Sequence, residues 1–224
     1  MFVLAFAAVQ AFAPSRKRYY LLRHGQSLAN VEGVISSEPT KAIAEHGLSE
    51  AGRQQAEAAG GDLLAALEET GCIGVAICTS DFRRARETAE AAHAAARAAG
   101  VRLWPPDGPR LEVALRERWF GEHDATADSN YDKVWVDDKL SATHEVAGVE
   151  SVASVAARTD GLLDRLDAEP ELSGPWLVLL VAHGDILQIT QAAQEGHDIR
   201  THRSLEHLQT ATLRELRRGT AAAE

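Results

Sequence analysis

The 224-residue sequence predicts an α/β protein with a mostly parallel central sheet. Beyond residue 18, short apolar runs alternate with long alanine-rich amphipathic stretches, the pattern of strand and helix units stacked around such a sheet. The run at residues 176–182 is continuously apolar, as expected of a strand buried on both faces. A hydrophobic content of 45% and a charged content of 25% fit a globular chain with a buried core.

The predicted elements follow this alternation in chain order. A first strand at residues 19–22 precedes a helix that Ser49 can cap, that runs to Thr70 and that Gly71 can end. A strand at 73–78, a helix at 81–99 and a weaker strand at 101–104, interrupted by prolines, come next. The remaining elements are a helix at 151–166, the buried strand at 176–182, a helix at 184–195 closed by Gly196, and a strand at 210–216.

One polar and acidic stretch, residues 121–148, departs from this alternation, and a short helix is predicted within it at 131–140. A long excursion inside a compact domain is often a lid or a binding segment, and a solvated surface insertion is the alternative. If the stretch is a lid, its candidates for substrate contact are Tyr131, Lys133, Trp135 and Lys139.

The charge balance excludes one class of partner. Lys and Arg number 23 and Asp and Glu number 33, so the net charge of -10 disfavours binding of nucleic acid. Any anion must therefore be met by a small, concentrated site. Cys72 and Cys78 are too few for a disulfide framework or a zinc site, and no run reaches the roughly 18 apolar residues of a membrane-spanning helix. We expect no nucleic-acid partner and no membrane insertion of the mature protein, and the oligomeric state stays open.

Residues 1–18 are predicted to be a targeting or disordered segment that precedes the domain. Residues 1–13 are almost wholly apolar, with the length of a signal-peptide hydrophobic region. The tetrapeptide Ala11-Phe12-Ala13-Pro14 resembles the cleavage-site motif in plastid presequences of algae with complex plastids, which predicts plastid localisation. The alternatives are a secretory peptide and a misassigned start, with a secreted or cytoplasmic protein as the outcome.

Two histidines directly follow predicted strands. His24 lies between Arg23 and Gly25 after the first strand, and His183 precedes Gly184 after the buried run. Because ligands bind at the carboxyl ends of strands in open α/β sheets, both histidines can converge on one crevice. The helix that begins beside His183 adds backbone N–H groups and a partial positive charge, which favour an anion such as phosphate.

An ordered set of motifs resembles those of the histidine phosphatase superfamily, in its phosphoglycerate mutase-like branch. They are RHGQSLAN at 23–30, LSEAGRQQA at 48–56, SDFRRARETA at 80–89, LRERWFG at 115–121, GVES at 148–151 and AHGD at 182–185. The resemblance covers nearly the whole chain after residue 18. It implies a three-layer α/β/α sandwich formed by one domain at 19–224, with a small helical and loop insertion at 121–148 as a lid.

The resemblance also implies a covalent mechanism. His24 attacks phosphorus and carries a phosphohistidine, and Glu117 protonates the leaving oxygen and then takes a proton from water. His183 completes the catalytic set and also binds phosphate, together with Arg23, Arg84, Asn30 and the N–H of Gly184. No metal or cofactor is required, because planar guanidinium groups clamp the phosphoryl oxygens. Arg83, Arg86 and the other seven histidines are interpreted as solvated, surface or structural residues.

The resemblance favours a phosphatase that hydrolyses small phosphomonoesters. Residues 29–37 do not resemble the tryptophan-bearing, asparagine-rich segment of bisphosphoglycerate-dependent mutases. The stretches 35–37, 115–121 and 202–208 resemble plant and algal relatives, some described as sugar-acid phosphatases, so sugar or sugar-acid phosphates are the expected substrates. The alternatives are a phosphoglycerate mutase-type phosphotransferase and an inactive binding or regulatory member.

Overall fold

The computed structural model describes residues 16–218, and within them the sheet has six strands. They are β1 (Arg18–Arg23), β2 (Val75–Thr79), β3 (Leu103–Trp104), β4 (Arg110–Leu111), β5 (Leu177–Ala182) and β6 (Leu213–Leu216). The order is β3-β2-β5-β1-β6, with β4 also beside β2. All pairs are parallel except β1 with β6, so the prediction of a mostly parallel sheet is confirmed.

Seven α-helices accompany the strands in the described part of the chain. They are α1 (Leu28–Glu32), α2 (Pro39–Ala42), α3 (Glu50–Thr70), α4 (Arg83–Ala98), α5 (Tyr131–Leu140), α6 (Val152–Ala168) and α7 (Gly184–Gln194). The predicted cap of α3 is present, because Ser49 accepts a hydrogen bond from the Gly52 N–H and Gly71 ends the helix in a left-handed conformation.

The helices cover both faces of the sheet. Because successive strand side chains point to opposite faces, alternate residues of each strand enter two separate cores. Leu179 of β5 packs in one core with residues of α3 and α4, and Leu180 packs in the other with residues of α6 and α7. Every residue of β5 is buried, as its continuous apolar run predicts. The fold is therefore the expected three-layer α/β/α sandwich.

Several short elements differ from the prediction. The strand predicted at 101–104 is reduced to two residues of β3 before Pro105, and β2 begins two residues later than predicted. The helices α1 and α2 and the strand β4 were not predicted, because elements of two to five residues are too short to show a periodic pattern. The last strand starts at Leu213 rather than at 210, because Ala211 has a positive φ of 54° within a turn.

The stretch 121–148 packs against the domain through its helix, although many of its residues are exposed. Its helix α5 has the predicted bounds, and Val134 on this helix is buried with Ile35, Phe120 and Val149 in a small third core. Whether the stretch opens and closes as a lid stays a prediction.

The predicted targeting segment, with its tetrapeptide at 11–14, lies outside the described residues except for residues 16–18. Of these, Arg18 already belongs to β1. None of the helices in residues 16–218 combines the length and the apolar character needed to cross a membrane.

Candidate active site

The sheet brings the two strand-end histidines together. In the register of β1 and β5, Arg23 pairs with Ala182, so His24 and His183 are the next residues on neighbouring parallel strands. The His24 N–H donates to the Ala182 carbonyl oxygen at 3.0 Å. The two imidazole rings meet edge to face with their centroids 5.1 Å apart.

Hydrogen bonds fix the tautomer of His24. Its Nδ1 lies 2.7 Å from the Gly25 carbonyl oxygen, which can only accept, so Nδ1 carries the proton. The Nε2 atom then carries a lone pair instead of a proton, and this lone pair accepts a hydrogen bond from Arg84 Nε at 3.2 Å. Burial, followed by the charges of Arg84 and Arg23, lowers the pKa of His24 well below its usual 6.5. The structure therefore presents a neutral imidazole with Nε2 as its nucleophilic atom.

Gly25 allows two backbone segments to approach closely. A Cβ atom there would lie 2.4 Å from the Gly52 carbonyl oxygen, so the glycine allows the loop after β1 to contact the start of α3. Gly25 does not line the cavity in which His24 lies. The backbone at Gly25 packs directly against the backbone at Gly52, and this contact fixes the loop that carries His24.

Two arginines flank the nucleophile. Arg84 is buried, and its Nη2 donates to the Ser36 carbonyl oxygen at 2.9 Å. Arg23 Nη1 lies 2.8 Å from His207 Nε2 and 3.0 Å from the Leu208 carbonyl oxygen. The Nε of Arg23 is buried and has no partner among the described residues. Both guanidinium groups line one cavity, where they can bind an anion beside His24.

Glu117 lines the same cavity as His24. Its Oε1 accepts hydrogen bonds from the N–H groups of Arg118 at 3.0 Å and Ile186 at 3.3 Å, which fix the carboxyl group. Burial and then the negative charge of Asp185 raise the pKa of Glu117 above its usual 4.5. A carboxyl group with a raised pKa is suited to donating a proton to a leaving oxygen.

His183 and Gly184 complete the expected phosphate-binding group at the start of α7. His183 Nε2 lies 2.9 Å from Ser80 Oγ, and its buried Nδ1 has no partner in residues 16–218. Its ring contacts the His24 ring edge to face and does not line the cavity, whereas Gly184 does. An added Cβ at Gly184 would lie 3.5 Å from Arg23 Nε, an ordinary contact distance, so Gly184 is a direct neighbour of this unpaired donor.

The other predicted residues divide between the cavity and the surface. Asn30 lines the cavity, but its Oδ1 accepts hydrogen bonds from Ser27 and caps α1, so only its amide NH₂ is available to a ligand. Tyr131 and Trp135 of α5 also line the cavity.

Lys133 and Lys139 are both exposed, and neither lines the cavity. The position of Lys133, two residues from Tyr131, turns it to the opposite face of α5, and Lys139 lies about 12 Å along the axis from Tyr131.

Two basic residues of the cavity were missed in the sequence. Arg203 and His207 had no assigned role in the site, yet both line the cavity. They lie on and just after the short 3₁₀ segment Ile199–Ser204, where no strand end or helical period marks them. The only available signal was the resemblance of residues 202–208 to other members of the family.

The cavity has a volume of about 220 Å³.

A buried ionic cluster fixes α5 to the rest of the site. Arg118 donates to both oxygens of Asp138 on α5, at 2.7 and 2.8 Å, and to Asp185 on α7 at 3.2 Å. Trp135 Nε1 and His202 Nε2 each lie 3.0 Å from Asp185 Oδ1. The reading of His202 as structural is consistent with this position. The cluster thus connects α5, whose Tyr131 and Trp135 form an aromatic wall of the cavity, to the helix α7 that begins at Gly184.

Between residues 16 and 218, no group of three or more His, Cys, Asp or Glu side chains is arranged to hold a metal ion.

Solved structures resemble this chain over most of its length. A mycobacterial glucosyl-3-phosphoglycerate phosphatase in complex with VO3 is 28% identical, with a TM-score of 0.65, over 88% of this chain and 91% of that chain. A protein described as mycobacterial hydrolase 1 is 27% identical, with a TM-score of 0.65, over 88% of this chain and 87% of that chain.

A putative alpha-ribazole-5'-P phosphatase from Escherichia coli shares the fold at 18% identity and a TM-score of 0.62, over 88% of this chain and 89% of that chain. No curated protein sequence is significantly similar to this chain. The sequence profile of the histidine phosphatase superfamily (branch 1) matches residues 19–222. The chain therefore belongs to branch 1 of the histidine phosphatase superfamily, as its ordered motifs predict.

Proposed function

We propose that the protein hydrolyses small phosphomonoesters, namely sugar or sugar-acid phosphates, through a phosphohistidine at His24. The observation that carries the proposal is the neutral imidazole whose Nε2 meets a guanidinium group within a cavity that also holds Glu117. Membership of the superfamily and the phosphatase among the similar solved structures support hydrolase activity.

In the first step, His24 Nε2 attacks phosphorus and the bond from phosphorus to the ester oxygen breaks. The new Nε2–P bond leaves the imidazole cationic, and the Gly25 carbonyl oxygen stabilises the Nδ1–H at 2.7 Å. The leaving oxygen takes the proton of Glu117, whose raised pKa keeps that proton available. The products of this step are an alcohol, a phosphohistidine and a Glu117 carboxylate.

In the second step, water attacks phosphorus and the Nε2–P bond breaks. The Glu117 carboxylate takes a proton from this water, which restores its acid form, and inorganic phosphate leaves. Covalent catalysis of this kind divides one difficult displacement into two easier ones.

Charge stabilisation comes from the residues around His24. Arg84 is proposed to exchange its contact with His24 Nε2 for a phosphoryl oxygen, which also frees the lone pair for attack. Arg23 offers its unpaired Nε, and the Gly184 N–H and the Asn30 amide are further candidate donors. His183 stays a candidate through its unpartnered Nδ1, although its ring does not line the cavity. Fixed donors of this type supply most of the catalysis in phosphoryl transfer.

The substrate is proposed to be a small molecule. The cavity volume of about 220 Å³ is below the range of roughly 300–1,000 Å³ that is common for drug-sized ligands. Tyr131 and Trp135 form one wall of the cavity, so α5 is proposed to contact the carbon skeleton of the substrate.

Product analysis separates this proposal from its alternatives. We expect the purified protein to release inorganic phosphate from 3-phosphoglycerate or from a sugar phosphate, and to lose this activity in His24→Ala. The matched control is His197→Ala, because His197 is an exposed histidine outside the cavity. Isomerisation of 3-phosphoglycerate in the presence of a bisphosphoglycerate primer, without phosphate release, would identify a mutase instead.

A further inference from the structure

Gln55 contacts the loop that carries the nucleophile without lining the cavity. It belongs to the motif LSEAGRQQA at 48–56 and lies half-buried near the start of α3. Its side-chain oxygen Oε1 accepts a hydrogen bond from the backbone N–H of Gln26 at 2.8 Å. Chemistry fixes the oxygen at this position, because a backbone N–H needs an acceptor and the NH₂ of a glutamine amide is a donor.

The peptide group that Gln55 contacts is the one that holds His24. The Gln26 N–H and the Gly25 carbonyl belong to the same peptide bond, which is trans. In a trans peptide the N–H and the C=O point in opposite directions. The N–H therefore meets Gln55 on one side, and on the other side the carbonyl oxygen accepts from His24 Nδ1–H at 2.7 Å. One planar group connects the two side chains.

The orientation of this peptide group depends on its contacts. A glycine places few steric limits on the rotation of the peptide that follows it, so Gly25 alone does not determine where its carbonyl oxygen points. The Gly25 N–H donates to Thr88 Oγ1, and the Gln26 carbonyl accepts from the Ser49 N–H. These two contacts fix the flanking peptide groups, whereas the contact with Gln55 fixes the peptide plane between them.

The same contact strengthens the Gly25 carbonyl as an acceptor. Hydrogen bonds in a chain polarise one another, so donation from the Gln26 N–H to Gln55 leaves more negative charge on the Gly25 oxygen. That oxygen faces the Nδ1–H of His24, whose imidazole becomes cationic when Nε2 attacks phosphorus. The contact therefore favours the transition state over the resting enzyme, which raises the rate of the chemical step.

A nucleophile of this kind needs a group that orients its second nitrogen. The hydrogen bond at one ring nitrogen of a histidine sets which nitrogen carries the proton, and activated nucleophiles are commonly oriented in this way by a further group. For His24 the orienting group is the Gly25 carbonyl. Gln55 is the side chain behind that carbonyl, one peptide group away from the imidazole.

We infer that Gln55 is a positioning residue for the nucleophile, because it fixes the Gly25–Gln26 peptide group so that the carbonyl holds His24 with its proton on Nδ1 and with Nε2 directed for attack. This inference rests on the proposed function and deepens it. Since Gln55 lies outside the cavity, it should affect the rate of phosphoryl transfer and leave substrate binding unchanged.

Two substitutions of Gln55 separate its acceptor from its bulk. Gln55→Met keeps the length of the side chain and removes the acceptor, whereas Gln55→Glu keeps an acceptor at the same position. In rapid-quench experiments with p-nitrophenyl phosphate, the maximal rate of His24 phosphorylation should fall about 10-fold in Gln55→Met, as for the loss of one hydrogen bond. The substrate concentration that gives half this rate should not change, and Gln55→Glu should restore most of the rate.

Gln54→Met is the matched control. Gln54 is the adjacent glutamine of α3, is exposed, and donates only a long hydrogen bond of 3.5 Å to Glu50. This variant should keep the full rate of phosphorylation, and urea denaturation of both Met variants shows whether α3 is equally stable in them. An unchanged rate in Gln55→Met, or a loss in Gln55→Glu as large as in Gln55→Met, would overturn the inference.

A spectroscopic measurement keeps this test independent of turnover. Proton–nitrogen NMR spectra of protein labelled with ¹⁵N-histidine report the Nδ1–H of His24, and His24→Ala identifies its signal. The Nδ1–H resonance should move upfield in Gln55→Met, because a less fixed carbonyl makes a weaker hydrogen bond, and should stay in place in Gln54→Met. An unshifted resonance in Gln55→Met would contradict the inference. If the unmodified protein hydrolyses no phosphomonoester, the proposed function fails, which is a different result from an unshifted resonance.

Discussion

At the scale of single residues, the protonation states of His24 and Glu117 define when the site can act. His24 must be neutral to attack, and its pKa lies well below 6.5 because the ring is buried beside Arg84 and Arg23. Glu117 must be protonated to assist the leaving group, and its pKa lies above 4.5 because it is buried near Asp185. The first group sets an acidic limit of activity and the second sets a basic limit.

The pH profile follows from these directions. For alkyl phosphates, kcat should fall as pH rises through the raised pKa of Glu117, while no loss from His24 is expected near pH 6.5, because its pKa is lowered far below this value. Steady-state rates of the unmodified protein and Glu117→Gln across pH provide the measurement. A basic limb that persists unchanged in Glu117→Gln would show that another group is the acid.

The role of Glu117 also depends on the leaving group. Glu117→Gln cannot donate a carboxyl proton, so hydrolysis of alkyl phosphates should slow by roughly 10²- to 10⁴-fold. p-Nitrophenyl phosphate should lose much less, because its leaving group departs without protonation. Parallel assays of both esters decide the point, with equal losses contradicting the acid role.

Site residues could be predicted from the sequence where they directly follow a strand, because the sheet then determines their positions. His24 and His183 could be placed together because they follow strands that the sheet makes neighbours. Arg203 and His207 could not be placed, because their positions depend on how a 3₁₀ segment packs against Arg23 and Trp135. Lys133 and Lys139 do not line the cavity, because tertiary packing sets which face of α5 meets it.

At the scale of elements, α5 is held by charge as well as by its small apolar core. Asp138 is fully buried and accepts from Arg118 and from His144 Nε2, which lies 2.7 Å from its Oδ1. Through Arg118 this contact reaches Asp185 on α7. The aromatic wall of the cavity and the helix start at Gly184 are thus parts of one connected unit.

Removing the buried carboxylate should destabilise this unit. Asp138→Asn leaves Asp185, at 3.2 Å, as the one carboxylate that contacts Arg118. The free energy of unfolding should therefore fall by about 3–5 kcal/mol. Urea denaturation is the measurement, and Asp132→Asn, at an exposed position of the same helix, is the control. A loss in Asp138→Asn no greater than that of the control would contradict the structural role of the cluster.

The lengths of elements explain which of them could be predicted. The bounds of α3 and α5 follow from capping residues and composition, and β5 follows from its unbroken apolar run. The helix α1 has five residues and depends on a capping box between Ser27 and Asn30, a local arrangement that periodicity does not reveal.

At the scale of the whole molecule, a net charge of -10 surrounds a cavity that contains Arg23, Arg84 and Arg203. Such a field admits a compact anion at the cavity and repels long polyanions elsewhere. Phosphate release from an end-phosphorylated oligonucleotide should therefore be at least roughly 100-fold slower than from a nucleoside monophosphate. Comparable rates at low salt would contradict this account of selectivity.

The covalent intermediate tests the central claim most directly. The unmodified protein, quenched within milliseconds of mixing with a radiolabelled phosphomonoester, should carry an acid-labile and alkali-stable phosphoryl group. Peptide mapping should place this group on Nε2 of His24, and it should be absent from His24→Ala and present in His197→Ala. Turnover without such an intermediate, or a phosphoryl group on another residue, would contradict the assignment of His24 as the nucleophile.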